Sequence, residues 1–475
     1  MPRYEHAGKF WTIELTGRSY TTQFGKLGSS GQTRLKKFAT ANEGRAGYLL
    51  AIHAKEKAGY VDVANRATSK AKPQAPIAGH AALEAAIEAD PYDTEAYAVY
   101  ADALQAAGDP RGELIALQLR NKHAAATKLL ATQANYFLGP LAVHQKVYDH
   151  EYEGKKRTQV RRDAFTWKYG FIHALRLSRN IHAIAAAKPK YDDGTLKEVL
   201  GAVLAHPSGR FLAEITVAHN FNDQNDSTQE VIDVLAKQVR PALRKLHFGD
   251  YRFAGGHAAD LHGYDTEISW YSVGKLGKLW KKVPGLTHLI TQGDAGGRAL
   301  GGGMELGAID LPNLVHAEFR TGGMSKANAR AIAKATTMRD LEFLEIWYGD
   351  EDYGGDATAK DAQLLLDRTD LPSLRHLGLR NATFADELIP RLAASKLVTE
   401  LSELDLSLGC LTDDGARALV ASATKFLHLD TLDISKNYVD HDGVVMLKKA
   451  FGKRVVNRGQ QEFDPVRRRY PAVGE

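Results

Sequence analysis

The carboxyl-terminal part of the chain repeats one apolar spacing at a nearly constant interval. The pattern Leu-x-x-Leu-x-Leu begins at Leu374 and Leu401, and a variant that ends in isoleucine begins at Leu429, so the starts lie 27 and 28 residues apart. Apolar residues two apart indicate a strand with one buried face, and the segments between the patterns carry apolar residues at helical spacing. Asp386 and Asp413 open two of these segments, which suits a helix amino terminus. The repeat therefore predicts alternating short strands and helices.

The same register extends towards the amino terminus, with other apolar residues replacing leucine in the looser matches. The first two matches also end in an asparagine, Asn180 and Asn220. An ordinary α/β sheet without a repeat is the alternative interpretation, but nine matches in one register favour a repeat. The nine starts are Ile172, Leu212, Leu243, Leu286, Leu314, Leu341, Leu374, Leu401 and Leu429.

Units of about 20–29 residues with this pattern resemble leucine-rich repeats. The 27–28 residue interval is similar to the ribonuclease-inhibitor type. The resemblance implies an α/β fold, a leucine-rich-repeat solenoid (horseshoe) over residues 171–456, with its helices on the convex side. From about residue 243 the chain also resembles a bacterial leucine-rich-repeat family without an assigned role, most clearly at 347–356 and 374–381. Such solenoids bind partners on extended concave surfaces.

Composition bounds the class of protein. The 475 residues are too many for one compact core, and no stretch approaches about 18 apolar residues, so we expect no membrane span. Cys410 is the single cysteine, which indicates a reducing, cytoplasmic setting and a packing role for this thiol. The chain carries no catalytic-triad, phosphate-loop or dinucleotide motif. We therefore expect a non-enzymatic protein without a cofactor or a metal.

Positive charge is concentrated at the amino-terminal end. Residues 1–80 contain thirteen Lys and Arg and five Asp and Glu, a net charge of +8, whereas the whole chain carries +5. This asymmetry indicates separate modules with different partners. Within residues 1–64 the pattern predicts strands at 10–15, 20–24 and 32–38, followed by a helix over 42–57.

This module contains three short motifs: the run from Phe24 through Gly25, Lys26 and Gly31 to Gln32, the pair Lys37-Phe38, and the run from Glu56 to Tyr60. Together they resemble the WGR domain. The resemblance implies a small α+β domain that helps to bind DNA ends. At the name-giving motif Phe24 stands in place of Trp, and Lys26 in place of Arg. We expect a DNA contact to use Phe24 for stacking and Lys26, Lys36 and Lys37 for phosphates.

Residues 65–79 have the composition of a basic linker, and residues 80–170 are predicted to be mainly helical. Thr94 is predicted to cap the second helix of this region, and Asp109-Pro110 to open the third. The string 89–118 closely resembles a bacterial repeat-companion domain with no assigned activity. A basic run at 155–162 is predicted to be a solvated loop, with an anion contact as the alternative. The tail, residues 457–475, lacks periodicity, so we expect it to be frayed.

The residue between the last two apolar positions of each repeat faces away from the core. Because neighbouring strands lie about 4.7–4.9 Å apart, Glu318 is predicted beside Glu345, and Asp405 beside Asp433. Like charges in these places destabilise a sheet. Either arginines two positions later offset the repulsion, or a protein partner brings Lys or Arg to this face and packs on Trp347. The predicted protein-binding residues are Glu318, Arg320, Glu345, Trp347, Asp350, Asp352, Arg380, Asp405 and Asp433.

Several alternatives stay open. The acidic loop at 350–356 is a solvated loop, a docking loop for a basic partner or a Ca²⁺ site. The whole protein is either a repeat protein with a protein partner or a DNA-end-binding regulator in which the WGR-like module dominates. A metal-dependent enzyme sited in the insertion at 252–270 is a third candidate, because this segment holds the zinc-ligand types His257, Asp260, His262 and Asp265.

Overall fold

The computed structural model describes two compact units, one up to residue 62 and the other from residue 80 onward. The helix predicted over 42–57, the linker, residues 252–267 of the insertion and the asparagines at 180 and 220 lie outside the described residues, apart from isolated positions in that helix. The described residues are 3–16, 18–38, 51, 55, 58, 60–62, 80–145, 147–152, 155–161, 164–177, 196–218, 226–250, 268–294, 303–464, 466 and 468–474.

The amino-terminal unit contains a five-stranded antiparallel sheet in the order β4-β3-β2-β1-β5. Trp11 and Ile13 of β2 and Tyr20 of β3 are buried in one cluster with Tyr4. Phe10 and Thr12, on the other face of β2, are buried as well, as expected for a strand that was predicted from its apolar and aromatic residues. The strands are β1 (Arg3–His6), β2 (Lys9–Thr16), β3 (Ser19–Lys26), β4 (Gln32–Lys37) and β5 (Val61–Asp62).

Five helices and a hairpin precede the large sheet of the second unit. Asp93, not the predicted Thr94, caps the second helix, because its carboxylate accepts from two backbone N–H groups of the first turn. Asp109 caps the third helix as predicted, with Pro110 in its first turn. The predicted loop at 155–162 is wrong, since residues 155–161 form a strand. The elements are α1 (Ala81–Ala89), α2 (Thr94–Ala106), α3 (Pro110–Leu119), α4 (His123–Thr132), α5 (Ala134–Phe137), β6 (Val147–Tyr152) and β7 (Lys155–Arg161).

Eleven strands of the described residues form one large sheet, in chain order and parallel except for its first pair. Nine of them lie at the positions that the repeated spacing predicts, whereas the first and the last strand of the sheet match no repeat start. The strands are β8 (Ala164–Lys168), β9 (Phe171–Leu177), β10 (Glu214–Ala218), β12 (Lys245–Asp250), β15 (His288–Gln292), β17 (His316–Arg320), β18 (Phe343–Gly349), β19 (His376–Ala382), β20 (Glu403–Asp405), β21 (Thr431–Asp433) and β22 (Val455–Val456). Short parallel pairs join β11 (Asp226–Ser227) to β13 (Tyr271–Ser272) and β14 (Gly274–Lys275) to β16 (Met304–Glu305).

Helices pack against one face of this sheet. Leu377 and Leu379 of β19 are buried in the same core as Leu388 and Leu392 of the helix that follows. These apolar residues lie two apart on the strand and four apart on the helix, so each element presents one apolar face. The chain is thus a mixed α/β protein with a small strand domain and a large, mostly parallel sheet. The helices are α6 (Leu196–Ala205), α7 (Gln229–Leu235), α8 (Lys326–Ala333), α9 (Ala359–Leu366), α10 (Ala385–Ala394), α11 (Asp413–Ala421) and α12 (His441–Phe451).

The prediction of a frayed tail is wrong. Residues 468–474 of the tail make side-chain and backbone hydrogen bonds to Asn381 near the end of β19 and to the turns after β18, β20 and β21. Just before the tail, Val455 and Val456 extend the sheet by one strand. Periodicity could not indicate this order, because the segment is held by tertiary contacts and has no helical or strand spacing of its own. None of the described helices is long and apolar enough to cross a membrane.

Candidate binding surfaces

One face of the large sheet, opposite the helix-packed face, carries the predicted protein-binding residues; we call it the polar face. The aligned position at its centre runs across nine strands without a break in register. The like-charged neighbours therefore occur as the sequence predicts. In strand order the aligned residues are Arg176, Thr216, His247, Ile290, Glu318, Glu345, Gly378, Asp405 and Asp433.

Glu318 is neutralised by its own strand. Its carboxylate is hydrogen-bonded to Nε2 of His316 at 2.7 Å and is paired with the guanidinium of Arg320. Burial alone would raise the pKa of Glu318, but the hydrogen bond from His316 and the charge of Arg320 outweigh burial and lower it. Glu318 therefore stays ionised without a partner protein.

The charge of Glu345 is offset mainly by Arg380 of the next strand. The side chain of Glu345 is only 5% exposed, and its Oε1 accepts from Nε1 of Trp347 at 2.5 Å and from Nη1 of Arg380 at 2.7 Å. A buried carboxylate needs this kind of paired, hydrogen-bonded environment. The Glu318–Glu345 pair is thus offset within the sheet, which is the first of the two interpretations of this pair.

Asp405 and Asp433 are less well compensated. Nε of Arg380 lies 3.2 Å from Oδ2 of Asp405, but the same guanidinium also serves Glu345. Burial, together with the charge of Asp433, raises the pKa of Asp405 even against the charge of Arg380. Asp433 accepts from the backbone N–H of Ser435 at 2.7 Å, and within the described part of the chain no Lys or Arg pairs with it. This end of the polar face therefore carries negative charge that the sheet does not offset.

Trp347 lies between two arginines. The guanidinium carbons of Arg320 and Arg380 are 5.6 and 5.1 Å from its ring centroid. Cations at this distance from an indole face are attracted by its quadrupole. Trp347 is only half-buried, so part of its ring is available beside the acidic residues.

A second aligned position holds stacked rings, which were not among the residues predicted from the sequence. His288, His316, Phe343 and His376 lie side by side on neighbouring strands, with centroids 5.5, 4.2 and 3.9 Å apart and ring planes within 18° of parallel. The sequence does contain a signal for this stack, because each of the four rings stands immediately before the second apolar residue of its repeat. All four are half-buried, so the stack adds a flat aromatic strip to the polar face.

The acidic loop does not extend the polar face as a free surface. The side chain of Asp350 is fully buried and accepts from Nη1 and Nη2 of Arg468 at 3.1 and 2.7 Å. Arg468 also pairs with Asp352 and lies 3.5 Å from Glu351. Of the three interpretations of this loop, the one with a basic partner is closest to the structure, but the chain's own tail supplies the basic group.

One cluster of side chains on the polar face has the composition of a metal site. Carboxylate and imidazole atoms of Glu345, His376 and Asp405 come within 4.8 Å of one another, as metal ligands do. The guanidinium of Arg380, however, already lies against Glu345 and Asp405, so a cation of the protein occupies the place of a metal ion.

Burial raises the pKa of the Cys410 thiol to about 12, so this thiol is protonated at neutral pH, as a packing residue would be.

In the amino-terminal unit, Phe24, Lys26 and Lys36 share one face of the sheet. Their strand partners are Trp11, Lys9 and Tyr20, and directly paired residues of antiparallel strands share a face. Phe24 also packs against the buried core of this unit. Strand β4 is exposed along its whole length.

Lys37, the fourth predicted DNA contact, lies elsewhere. It is paired with Ser19 and follows Lys36 directly, so it belongs to the opposite face of the sheet. The structure therefore places three of the four predicted residues on one face, with Lys36 opposite Tyr20, four residues from Phe24 and six from Lys26 along β3. The sequence could not separate them without the register of β3 against β4.

The comparisons with known proteins agree with this architecture at the amino terminus. The WGR domain family matches residues 4–67, so the small strand domain is a WGR domain. No curated protein matches the chain.

Solved structures resemble the chain at low identity. The crystal structure of a protein from Bacteroides fragilis is 19% identical and covers 98% of each chain, with a TM-score of 0.49. The TLR13–ssRNA13 complex is 13% identical over 61% of this chain and 32% of that one, with a TM-score of 0.26. An LRR protein of Leptospira interrogans is 13% identical over 56% of this chain and 74% of that one, with a TM-score of 0.17.

Proposed function

We propose that this chain is a non-enzymatic, modular binding protein. In this proposal the large sheet and its helices form a leucine-rich-repeat solenoid that docks a protein partner on the polar face, and the WGR domain contacts nucleic acid or a second protein. The repeat assignment is supported by nine aligned strand positions, in chain order, with an interval of 27 or 28 residues between the last starts. Repeats of this length match the ribonuclease-inhibitor type.

The observation that carries the docking proposal is the register pair of Asp405 and Asp433. Two carboxylates on neighbouring strands repel each other, and Arg380 is shared with Glu345. A partner that brings a Lys or Arg side chain to this pair removes the repulsion and gains a charge-assisted hydrogen bond. Trp347, two strands from Asp405 on the same face, is the aromatic anchor of the proposal, the residue type that leads binding hot spots.

Burial and pairing within the chain reduce the set of residues that we propose as direct contacts. Glu318, Glu345 and Asp350 are buried and paired within the chain, so they support the surface and do not bind directly. The contact residues of the proposal are Trp347, Asp405 and Asp433, with Arg320 and Arg380 on either side of the indole ring. Asp352 is already paired with the tail.

The experiment is affinity capture from the native host with full-length protein, followed by mass spectrometry and direct binding of each captured protein. An Asp405→Lys/Asp433→Lys variant and Trp347→Ala should each weaken the true partner at least about tenfold, equal to about 1.4 kcal/mol. Asp367→Lys is the matched control, since this exposed aspartate lies at the carboxyl end of α9, where a cation is tolerated. Undiminished binding by both polar-face variants would place the site on the helices or on the WGR domain.

A second candidate is a DNA-end-binding regulator in which the WGR domain dominates. It is favoured by the family match over residues 4–67 and by the position of Lys26 and Lys36 on the same face of the sheet as Phe24. It predicts DNA affinity that falls steeply with salt, whereas a protein partner docked on the polar face predicts binding that survives removal of DNA by nuclease.

A further inference from the structure

The tail segment 468–474 lies in a groove at the ends of four successive strands. We call it the tail groove and define its floor by Asp350, Asn381, Leu408 and Tyr438. Asn381 is the penultimate residue of β19, and the other three lie in the turns after β18, β20 and β21. Each of these residues makes a hydrogen bond or an ion pair to the segment. The groove is distinct from the polar face, because three of its four floor residues lie in turns beyond the ends of the strands.

Three of the four floor residues contact only the peptide backbone of the segment. The hydroxyl of Tyr438 donates to the carbonyl of Tyr470 at 2.8 Å and accepts from its N–H at 3.0 Å. The carbonyl of Leu408 accepts from the N–H of Ala472 at 2.7 Å. Backbone contacts of this kind hold an extended segment whatever its side chains are.

Asn381 makes the most complete backbone contact. Its Nδ2 donates to the carbonyl of Val473 at 2.5 Å, and its Oδ1 accepts from the N–H of the same residue at 3.0 Å. The side-chain amide thus pairs with one residue's backbone as a neighbouring strand would. Asn381, Leu408 and Lys436 occupy the same position in three successive repeats, and all have positive φ, between 54° and 67°. A repeated left-handed turn therefore shapes this edge of the sheet.

The side chains of the tail segment make specific contacts at the two ends of the groove. At one end the buried Asp350 carboxylate receives two hydrogen bonds from Arg468, the planar pairing that arginine makes better than lysine. Two residues later, the ring of Tyr470 lies 6.1 Å from that of Tyr353 in an edge-on contact. At the other end Gly474 lies so close to Gly322 that an added Cβ on Gly322 would stand 2.6 Å from its carbonyl oxygen.

We propose that the tail groove is a peptide-docking site that the chain's own residues 468–474 occupy, and that it accepts a partner's extended segment with an arginine two residues before an aromatic residue. The chemistry of the groove defines this ligand: a buried carboxylate for the guanidinium, an aromatic edge for the ring, and backbone partners for the residues after the ring. The tail acts as a tethered competitor, at an effective concentration on the order of millimolar. A partner segment binds when it displaces the tail.

The test uses full-length protein and a fluorescein-labelled peptide of residues 466–475, with binding followed by anisotropy. Arg468→Glu places a carboxylate against Asp350 and releases the tail, so the wild-type peptide should bind this variant at least about tenfold more tightly than the wild-type chain. Arg469→Glu is the matched control. It makes the same charge change one residue away, where the guanidinium lies over the ring of Phe463, and it should bind the peptide like the wild-type chain.

Hydrogen exchange of the Ala472 and Val473 amides reports the tail directly. These amides should exchange faster in Arg468→Glu than in Arg469→Glu, and adding Asp350→Asn to the released variant should abolish peptide binding. Equal peptide affinity for the two arginine variants, no binding to Arg468→Glu, or retained binding after Asp350→Asn would each overturn the docking site.

The partner part of the proposal has its own test. A peptide that keeps Arg468 and Tyr470 but carries Ala472→Lys and Val473→Ser should bind the released chain within about threefold of the original, because both positions are held through their backbone. A peptide with Arg468→Glu should not bind. Loss of binding by the first peptide would restrict the groove to the chain's own tail and would overturn the proposal that a partner's segment binds there.

Discussion

Asp405 and Asp433 face each other in register on neighbouring parallel strands of the large sheet, and one shared arginine reaches only the first of them. This pair explains why the pKa of Asp405 is raised: burial disfavours the charged form, and the charge of Asp433 adds to it. A sheet gains no stability from such a pair, and both residues are partly exposed, so the pair supports the proposed docking of a basic partner.

The first prediction concerns this pair and pH. A raised pKa means that the fold favours protonated Asp405, so its contribution to stability is present at acid pH and is lost as pH rises through the raised pKa. Asp405→Asn mimics the protonated form. We expect it to be more stable than wild type at pH 7 in urea melts, with the difference shrinking towards pH 4. A variant that is less stable than wild type at pH 7 would show that the attraction of Arg380 exceeds the repulsion.

The second prediction concerns Arg380, which contacts carboxylates on both neighbouring strands. Arg380→Met leaves the buried Glu345 with one hydrogen-bond partner fewer and removes the closer of its two arginines, since Arg320 lies 4.0 Å away. Loss of one partner of a buried ion pair costs about 3–5 kcal/mol, and we expect about 3 kcal/mol here, measured by denaturant unfolding. Arg375→Met is the control, since the exposed Arg375 bonds only backbone carbonyls, and it should cost less than about 1 kcal/mol.

The third prediction tests the apolar register. Leu377 and Leu404 are both 0% exposed, and each fills the same position of its repeat. Leu377→Ala and Leu404→Ala should each cost about 2–5 kcal/mol, because truncation removes apolar burial and leaves a cavity. Leu364→Ala, at a residue that is 41% exposed on α9, should cost less than about 1 kcal/mol. Similar losses at all three sites would contradict the register.

The fourth prediction compares two glycines with similar positive φ. Gly349 and Gly452 have φ of 68° and 64°, but a Cβ on Gly349 would stand 1.7 Å from the carbonyl oxygen of Gly322, whereas one on Gly452 would meet open space. Gly452→Ala should cost about 1–3 kcal/mol for its backbone conformation alone, since residues other than glycine rarely combine φ of 64° with ψ of −136°. Gly349→Ala should cost clearly more, because two backbone segments must separate. Equal thermal shifts in calorimetry would argue against this close contact.

The fifth prediction concerns the WGR domain. If DNA is its ligand, Lys26→Glu and Lys36→Glu in the full-length chain should weaken binding to a blunt-ended duplex. Each lost phosphate contact should reduce the slope of log K against log salt by about 0.9. Lys37→Glu, on the opposite face, makes the same charge change and should leave the slope unchanged. Equal effects of all three would show that only the net charge of the domain matters.

The sequence alone determined the repeat register and therefore the like-charged neighbours. A parallel sheet in chain order places equivalent positions side by side, so a spacing of 27 residues between Glu318 and Glu345 was enough to predict their pairing. The buried strand positions followed for the same reason, because alternation along a strand is a local property. The WGR domain was identified from motifs that keep their order along the chain.

Only the tertiary structure decided which charges are neutralised and where the tail lies. Arg468 meets Asp350 across 118 positions of sequence, and no local spacing encodes a contact that depends on the path of the chain past four repeats. Sharing of one guanidinium between Glu345 and Asp405 is likewise a matter of side-chain reach across three strands. Lys37 was grouped with Lys26 because charge is visible in a sequence, whereas the face of a sheet depends on the pairing of its strands.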